Sequence, residues 1–361
     1  MTSRIAPKLL LVLVLALVAA ACTRGGADET TTTTDRPETS TTSTTTTTTS
    51  SSTTTTTTTT LPPIGDTING LPAEEELTQR RAVTVKIDNH PDAHPHWGLD
   101  KADAVYELLV EGGLTRLIAV YHQSDAEVVG PVRSGRPTDA GLVKPLGAPF
   151  QISGAQPWVK QIFRDEGVYM VDDLGITTYR TDQRRRPHNL LSSTPLIRDY
   201  ADGRGWPDDP PPPLFEYGND PTPLTDTATR IELAFSDRPP SVFEWDGERY
   251  LHFYGDDEHE WYDDKTDTRG QVTVDAIVVI EARKYTATAP GGNGTPVPAM
   301  DTVGSGDALV FRDGGVLSAT WERGSIDEMI RIFDADGAEV VLPPGRPWIA
   351  IFPTNRTVVW D

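Results

Sequence analysis

The stretch AVTVKIDNHPDAHPHWGLDKADAVYELLVEGGLTRLIAVY, residues 82–121, carries the clearest strand pattern in the chain. Residues 82–88 alternate in polarity and are rich in β-branched side chains, which predicts a strand. Apolar runs at 105–110 and 117–121 flank Gly112-Gly113, and this arrangement is typical of two strands joined by a turn. The stretch therefore predicts a sheet at the start of the folded part.

Helical patterns follow these strands. They cover residues 138–144 and 157–166. Thr194-Pro195 has the form of an N-cap followed by proline, which opens a helix to about residue 201. A mixed α/β N-terminal domain is therefore expected over residues 65–205.

The second half of the chain has a different composition. A Pro-rich stretch at residues 206–225 predicts a semi-rigid linker, because proline continues neither a helix nor a central strand. Residues 226–361 contain short β-rich runs separated by Asp-Gly dipeptides, which favour hairpin turns. We expect a mostly antiparallel β C-terminal domain, a small barrel or sandwich, and hence an α+β protein of two domains.

The N-terminus predicts a lipoprotein signal peptide over residues 1–22. Arg4 and Lys8 precede thirteen residues, Leu9 to Ala21, without a charged or polar side chain, and about 20 are needed to cross a bilayer. Cys22, the single cysteine, follows small residues and resembles a lipobox, whose thiol receives a diacylglycerol. The alternatives are an ordinary secretory signal and a short uncleaved anchor. We expect a lipid anchor on the outer face of the cytoplasmic membrane.

Residues 23–64 predict a disordered tether. Positions 30–60 hold 22 Thr and 5 Ser among 31 residues and no hydrophobic side chain, so burial cannot offset the entropy of ordering them. The tether is either O-glycosylated or an unmodified polar spacer. In both cases it holds the folded part away from the membrane.

The net charge of −21 belongs to the folded part, because the charges of the predicted signal and tether cancel. Such a surface repels phosphate backbones, so we expect no nucleic-acid partner. A single cysteine excludes an internal disulfide framework and a Cys-rich zinc site. No cofactor is expected.

Carboxylates supply the first candidate site residues. Asp88 and Asn89 end the first predicted strand, where a ligand can reach them, or where an Asx turn uses them locally. Glu107 and Glu111 share one face of a strand, as an acid–base pair does. Alternatively, they pair with Arg116 in a structural network.

The motif GPVRSGRP, residues 130–137, brings two arginines into a loop of an acidic chain. The guanidinium forks of Arg133 and Arg136 suit a carboxylate or phosphate ligand. Internal pairing with Asp139 or Glu111 is the alternative.

A second basic motif, RRRPHN at residues 184–189, ends in His188 and Asn189. His188 is a titratable candidate, and the alternative is a solvated loop that balances nearby aspartates. The cluster is the densest run of positive charge in the chain.

Three histidines, His90, His94 and His96, lie close together in the sequence. Pro91 and Pro95 prevent a regular helix or strand from aligning them, and no three-ligand zinc motif matches. We therefore expect no metal site.

These motifs resemble one family, the YerB-like bacterial lipoproteins of unknown function. The similar stretches are VKIDNHPDAHPHWGLDKADAVYELLVEGGLTR, GPVRSGRP and RRRPHNL, with VGSGDALVFRDGGVLSATWERG and DADGAEVVLPPGRPWIAIFP in the second half. The resemblance implies a lipid-anchored surface protein of two domains. Family members tend to read Asn-His-Pro-x-Ala-Arg-Pro-Gln where this chain has His94 and His96, which argues further against a metal. The residues that the motifs carry over are Asp88, Asn89, Glu107, Glu111, Arg116, Arg133, Arg136, His188 and Asn189.

The leading hypothesis for the function is an envelope lipoprotein that binds an anionic or glycan ligand of the cell wall. An arginine-lined cleft of Arg116, Arg133 and Arg136, with His188, would attract an anion selectively in so acidic a body. The partner is then a cell-wall polymer.

Two alternatives come from other classes. The first is a hydrolase of cell-wall glycan, with Glu107 or Glu111 as general acid and Asp88 as base or nucleophile. The second is a module in the C-terminal domain that binds an envelope protein. Exposure of its tryptophans would support the second alternative, and these are Trp321, Trp348 and Trp360.

Overall fold

The structure is a computed structural model that describes residues 64–172 and 175–361. The predicted signal peptide, Cys22 and the predicted tether up to residue 63 lie outside the described residues. Among the described helices, none is both long enough and apolar enough to cross a membrane.

The helices of the described chain are short. The α-helices are α1 (Glu75–Thr78), α2 (Pro137–Val143), α3 (Pro157–Asp165) and α4 (Thr194–Gly203). Single 3-10 turns occupy Pro91–Ala93, Leu99–Lys101, Glu111–Gly113, Lys144–Leu146 and Pro290–Gly292. The three predicted helices are confirmed, with one correction. The N-cap of α4 is Ser193 and not Thr194, because the Ser193 hydroxyl accepts the backbone N–H of Leu196 (3.2 Å).

Strands make up much of the remaining chain. Those before the Pro-rich stretch are β1 (Val83–Asp88), β2 (His96–Trp97), β3 (Ala104–Leu109), β4 (Thr115–Tyr121), β5 (Phe150–Gln151), β6 (Met170–Val171), β7 (Thr178–Arg180) and β8 (Leu190–Ser192). Those that follow are β9 (Glu216–Tyr217), β10 (Asp226–Thr227), β11 (Arg230–Leu233), β12 (Ser241–Trp245), β13 (Tyr250–Tyr254), β14 (Asp257–Glu258), β15 (Glu260–Asp263), β16 (Thr268–Gln271), β17 (Thr273–Val274), β18 (Ala276–Ala282), β19 (Lys284–Ala287), β20 (Val297–Met300), β21 (Gly304–Arg312), β22 (Gly315–Arg323), β23 (Arg331–Phe333), β24 (Val341–Leu342), β25 (Pro347–Pro353) and β26 (Val358–Trp360).

One mixed sheet runs through both halves of the described chain. Its strands lie in the order β10-β22-β21-β18-β25-β3-β4-β1-β5-β6, and β23 pairs with β22. The β25 strand pairs in parallel with β18 on one side and with β3 on the other. The hairpin of β3 and β4 is antiparallel, as predicted around Gly112-Gly113. A strand near the C-terminus therefore lies between the two halves.

Both faces of this sheet are covered. Helices α2 and α3 pack on one face through residues such as Leu142 and Phe163. A second sheet, in the order β14-β13-β12-β11-β26 with β17 on β13, packs on the other face through Ile231 and Phe243. Burial on both faces explains why every residue of β1, β3 and β25 is buried, including the polar side chains of Lys86 and Glu107.

The predicted α+β class is confirmed, and the strands of the described residues close into no barrel. The second half is largely antiparallel, with hairpin turns at Asp246-Gly247 and Asp313-Gly314. Within the Pro-rich stretch, Leu214 and Phe215 are buried and β9 pairs with β24.

Candidate functional site

The site is built where β1 ends. The segment that carries GPVRSGRP runs beside this end, because the amide of Asp88 donates to the carbonyl of Pro131 and the amide of Arg133 donates to the carbonyl of Lys86 (both 2.8 Å). On the other side of β1, Arg116 of β4 lies opposite Asp88 in the register. Three neighbouring segments thus present polar side chains at one end of a strand, a common position for ligand sites.

Asp88 is the acidic centre of this group. Its Oδ2 lies 2.6 Å from Nδ1 of His188 and 3.0 Å from Nε of Arg133. The Asp88 side chain is almost fully buried, whereas the Arg133 side chain is 23% exposed. Within the described residues, the guanidinium of Arg133 pairs with Asp88 and makes no hydrogen bond.

Arg116 and Arg136 meet at the carbonyl of Ser134. Arg116 donates to that oxygen at 2.7 Å, and Arg136 donates to it at 3.3 Å. Nε and a terminal nitrogen of Arg136 also lie 2.8 Å from Oε2 of Glu111. Although burial opposes ionisation of Glu111, the hydrogen bonds and charge of Arg136 lower its pKa. We call Arg116, Arg133, Arg136 and His188 the arginine cluster.

A further buried cation lies beneath the arginine cluster. Nζ of Lys86 is 2.7 Å from Oδ1 of Asp139, and both side chains are fully buried. Burial is the main cause that lowers the pKa of Lys86 to about 8, and the charges of Arg116 and Arg136 act in the same direction. The ion pair and hydrogen bond with Asp139 oppose this shift. Burial also lowers the pKa of Arg116 to about 10, with repulsion from Arg136 and Arg133 as the next causes. Arg133, Arg136 and Lys86 each pair with a carboxylate, and Arg116 pairs with none among the described residues, so this region has a small excess of positive charge.

Glu107 and Asn89 lie elsewhere, at a cavity of about 280 Å³ between the two sheets. The carboxylate of Glu107 accepts hydrogen bonds from the hydroxyls of Thr115 (2.7 Å) and Ser241 (2.8 Å) and from the indole of Trp348 (3.0 Å). Asn89 donates to the hydroxyls of Thr115 (2.7 Å) and Tyr254. Burial raises the pKa of Glu107.

Four histidines form a second cluster beside this cavity. Nδ1 of His96 lies 2.7 Å from Nε2 of His259, and Nδ1 of His259 lies 2.5 Å from Nδ1 of His252. The fourth, His94, lies 4.6 Å from His96 and 5.0 Å from His259 between ring centroids. Burial lowers the pKa of His94 to about 4 and the pKa of the other three well below the ordinary value.

The structure thus brings together most, but not all, of the residues singled out in the sequence. Asp88, Glu111 and the arginine cluster are connected by contacts, whereas Glu107 and Asn89 belong to the cavity. Asn189 is used inside its own hairpin, where its amide donates to the carbonyl of Thr181 and accepts from Arg180. The three tryptophans are also divided, since Trp321 and Trp348 are buried and Trp360 is 37% exposed.

Several site residues were not found from the sequence. They are Lys86, Ser241, His252, Tyr254 and His259. Arg184, the first residue of the RRRPHN motif, lies over the ring of Trp97, 3.9 Å from its centroid, and donates to the carbonyls of Ala93 and Pro95. The lysine within the strand pattern of residues 82–88 was a usable signal, because a charged residue inside a buried strand needs a partner. Ser241, His252, Tyr254 and His259, in the second half of the chain, lie in no sequence motif that predicts a site.

Fold and site together define a class of protein: an α+β chain in which one mixed sheet joins two parts and holds arginines at the end of a strand. A family model described as "Protein of unknown function (DUF3048) N-terminal domain" matches residues 68–207, and the C-terminal domain model of the same family matches residues 231–349. The chain belongs to this two-domain, YerB-like family, as its motifs predicted.

A sequence match and a structural match, both to YerB of Bacillus subtilis, show the extent of the similarity. The chain is 28% identical to the protein named "Putative lipoprotein YerB" of Bacillus subtilis (strain 168) over 292 residues, which cover 79% of this chain and 85% of the relative. The crystal structure of YerB protein from Bacillus subtilis matches with a TM-score of 0.69 at 25% identity. That match covers 83% of this chain and 99% of that one.

Proposed function

We propose that this protein is a lipid-anchored protein of the cell envelope whose arginine cluster binds an anionic group of a cell-wall polymer. The anchor is Cys22, at the end of the predicted signal peptide, and it places the folded part on the outer face of the cytoplasmic membrane. A lipoprotein name for the Bacillus subtilis relative supports this part of the proposal.

The observation that carries the binding proposal is the proximity of Arg133 and His188, which contact Asp88, to Arg116 and Arg136, which meet at the carbonyl of Ser134. Burial is the main cause that lowers the pKa of Arg116 to about 10, and repulsion from Arg136 and Arg133 acts in the same direction, so a bound anion would relieve part of that repulsion. The surrounding chain has a net charge of −21, so a local positive region gives selectivity for anions within an otherwise repulsive field.

Arg133 is the residue best placed to contact the ligand. Its side chain is partly exposed and its guanidinium is held by a single ion pair with Asp88. The remaining nitrogens of the fork suit bidentate contact with a phosphate or carboxylate. Arg136 and Arg116 are more fully engaged with Glu111 and the Ser134 carbonyl, so they contribute charge and position.

The contacts favour binding over the hydrolase alternative. Glu111 lies in the fork of Arg136, and Asp88 is paired with Arg133 and His188. Both oxygens of Glu107 accept hydrogen bonds from hydroxyl and indole donors, and the side chain is fully buried. The ion pairs of Asp88 and Glu111 with arginines favour a structural or ligand-orienting role for these two carboxylates over that of a free acid–base pair.

Arg133→Gln tests the proposal. Loss of a charge-assisted contact should weaken binding to isolated anionic wall polymers by about tenfold or more, and Tm should stay nearly unchanged, because Asp88 keeps its contact with His188. Sedimentation with purified polymer at two salt concentrations measures the affinity, and binding of the wild type should weaken as salt rises.

The matched control for this experiment is Arg249→Gln, which removes one exposed arginine from the second half. The control variant should bind as the wild type does. Retained affinity in Arg133→Gln, or an equal loss in the control, would contradict a specific role for the arginine cluster.

A further inference from the structure

Three of the four clustered histidines, the buried His96 and His259 and the partly buried His94, are arranged as ligands are in a metal site. His94 and His96 follow the 3-10 turn after β1, and His259 lies between β14 and β15. One ring nitrogen from each lies within 4.8 Å of the others. Two distant segments of the chain therefore supply a compact set of nitrogen donors.

The proton positions follow from the hydrogen bonds. Nε2 of His96 lies 2.6 Å from the carbonyl oxygen of Asp88, which can only accept, so this nitrogen carries the proton. A neutral His96 ring then has its lone pair on Nδ1, the nitrogen that faces His259 at 2.7 Å. The lone pair of His96 is thus directed into the cluster and not out of it.

His94 is oriented in the same way. Asn89 donates through its amide nitrogen to the hydroxyls of Thr115 and Tyr254, so its Oδ1 accepts, and Nε2 of His94 donates to it at 2.9 Å. The lone pair of His94 is therefore on Nδ1. His259 also has an outer partner, because its Nδ1 lies 2.5 Å from Nδ1 of the buried His252.

His94 and His96 thus carry their protons on the nitrogens that contact outer partners, and His259 contacts His252 with one nitrogen and His96 with the other. The outer partners are a backbone carbonyl, a side-chain amide oxygen and a second imidazole. Metal-binding histidines show this arrangement, because the outer hydrogen bond fixes both the tautomer and the orientation of the ring.

We propose that His94, His96 and His259 bind one divalent first-row transition-metal ion, with Zn²⁺ as the best match. Imidazole nitrogen suits zinc, copper, iron and nickel, and three histidines with a fourth open position form a recognised zinc geometry. His94 also lines the cavity with Asn89 and Tyr254, so the open position would face the cavity and hold a water molecule or a small ligand.

Only a small adjustment is needed to accept the ion. Zinc–nitrogen bonds of about 2.0–2.1 Å in a tetrahedral site separate two ligand nitrogens by roughly 3.3 Å. The two nearest nitrogens, on His96 and His259, are 2.7 Å apart, so they would move apart by well under 1 Å. The proton in this contact belongs to Nε2 of His259, because Nδ1 of His96 carries the lone pair. When the metal binds Nε2 of His259, that proton would leave to solvent, Nδ1 of His259 would take the proton of His252 Nδ1, and Nε2 of His252 would take one from solvent, so that each ring stays neutral.

A second histidine group is less suitable and serves as an internal comparison. His90, Asp92 and His188 also approach one another, but Nδ1 of His188 contacts Asp88 and Nδ1 of His90 accepts the amide of Asp92. Asp92 is exposed. We assign the metal to the group of His94, His96 and His259 alone.

The test uses the full-length protein in detergent after removal of metals with a chelator. Titration calorimetry with Zn²⁺ should give one ion per chain. In His94→Gln, the affinity should fall by about 100-fold or more, since one of three ligands is lost. Co²⁺ should give the intense visible absorption of a four-coordinate site in the wild type and not in the variant.

Two further variants make the result decisive. His90→Gln, in the neighbouring group, should bind Zn²⁺ as the wild type does. Asn89→Ala removes the outer partner of His94 and should weaken binding by about 10–100-fold. The proposal is wrong if the wild type binds no metal at micromolar concentration, if His94→Gln keeps wild-type affinity, or if His90→Gln loses as much as His94→Gln.

Discussion

Glu107 shows how one buried side chain connects several elements. It lies in β3, and its donors come from Thr115 in β4, Ser241 in β12 and Trp348 in β25. A buried carboxylate is costly unless hydrogen bonds satisfy it. Here the bonds join both sheets and both halves of the chain, so the residue has a structural role at the floor of the cavity.

Removing this acceptor should destabilise the fold. Glu107→Ala leaves the indole of Trp348 and two hydroxyls without an acceptor, and we expect the free energy of unfolding to fall by about 2–4 kcal/mol. Glu107→Gln keeps an acceptor oxygen for the indole, and its amide group can donate to a hydroxyl oxygen, so it should lose less than half as much. Urea denaturation of both variants measures the difference. Equal losses would mean that the charge matters and the hydrogen bonds do not.

At the residue scale, local motifs predicted the arginine cluster but not the histidine cluster. Asp88 at a strand end and two arginines in a Gly- and Pro-bounded loop are local signals, and the structure connects them. His94 and His96 meet His259, more than 160 positions away. Pro91 and Pro95 do prevent a regular element from aligning the first two, but the third histidine arrives on another part of the chain. The spacing of the histidines along the sequence therefore could not predict this contact.

The loop that carries the arginines is held by close packing at the element scale. A β-carbon on Gly135 would lie 2.8 Å from the ring of Phe163 in α3, closer than real side chains approach. Gly135 is therefore required by contact and not by an unusual backbone angle. The helix fixes the loop, and the loop fixes Arg133 and Arg136 on either side.

Gly135→Ala should consequently lower the free energy of unfolding by about 1–3 kcal/mol, because Phe163 is fully buried and has little room to move. The matched control is Gly203→Ala at the end of α4, where nothing lies within 4 Å of the added carbon and no loss is expected. Thermal and urea unfolding of the two variants check this. Equal stability of both variants would contradict the packing argument.

Element prediction from sequence succeeded where a segment is long enough to show a pattern. The strands β1, β3 and β4 and the helices α2, α3 and α4 were all predicted. The two-residue strands β5 and β6 were not, because two residues have no periodicity and become strands only through their partners. In the sheet, β5 lies next to β1 and β6 lies next to β5. This edge of the sheet, beside the arginine cluster, could therefore not be predicted from the sequence.

At the scale of the whole molecule, the important feature is the place of β25. Residues Trp348–Ile351 pair with Val105–Leu108 of β3, and the same strand pairs with β18. A change of composition at the Pro-rich stretch predicts two domains, but parallel pairing between strands more than 200 residues apart leaves no pattern in either strand. The sequence could show that β3 and β25 are buried strands, and it could not show that they are neighbours.

This pairing predicts that neither half folds alone. Separate expression of residues 64–205 exposes the edge of β3 that pairs with β25, and it leaves Glu107 without Trp348 and Ser241. Separate expression of residues 226–361 exposes the edge of β25 that pairs with β3. We expect the chain 64–361 to unfold in a single cooperative urea transition, followed by circular dichroism and by tryptophan fluorescence, with both signals coincident. Each half should show no cooperative transition, since the apolar face and the strand edge that it exposes are covered only in the complete sheet. A half of residues 64–205 that unfolds cooperatively, with well-dispersed amide resonances, would show that the shared sheet is a docking contact between two independently stable units.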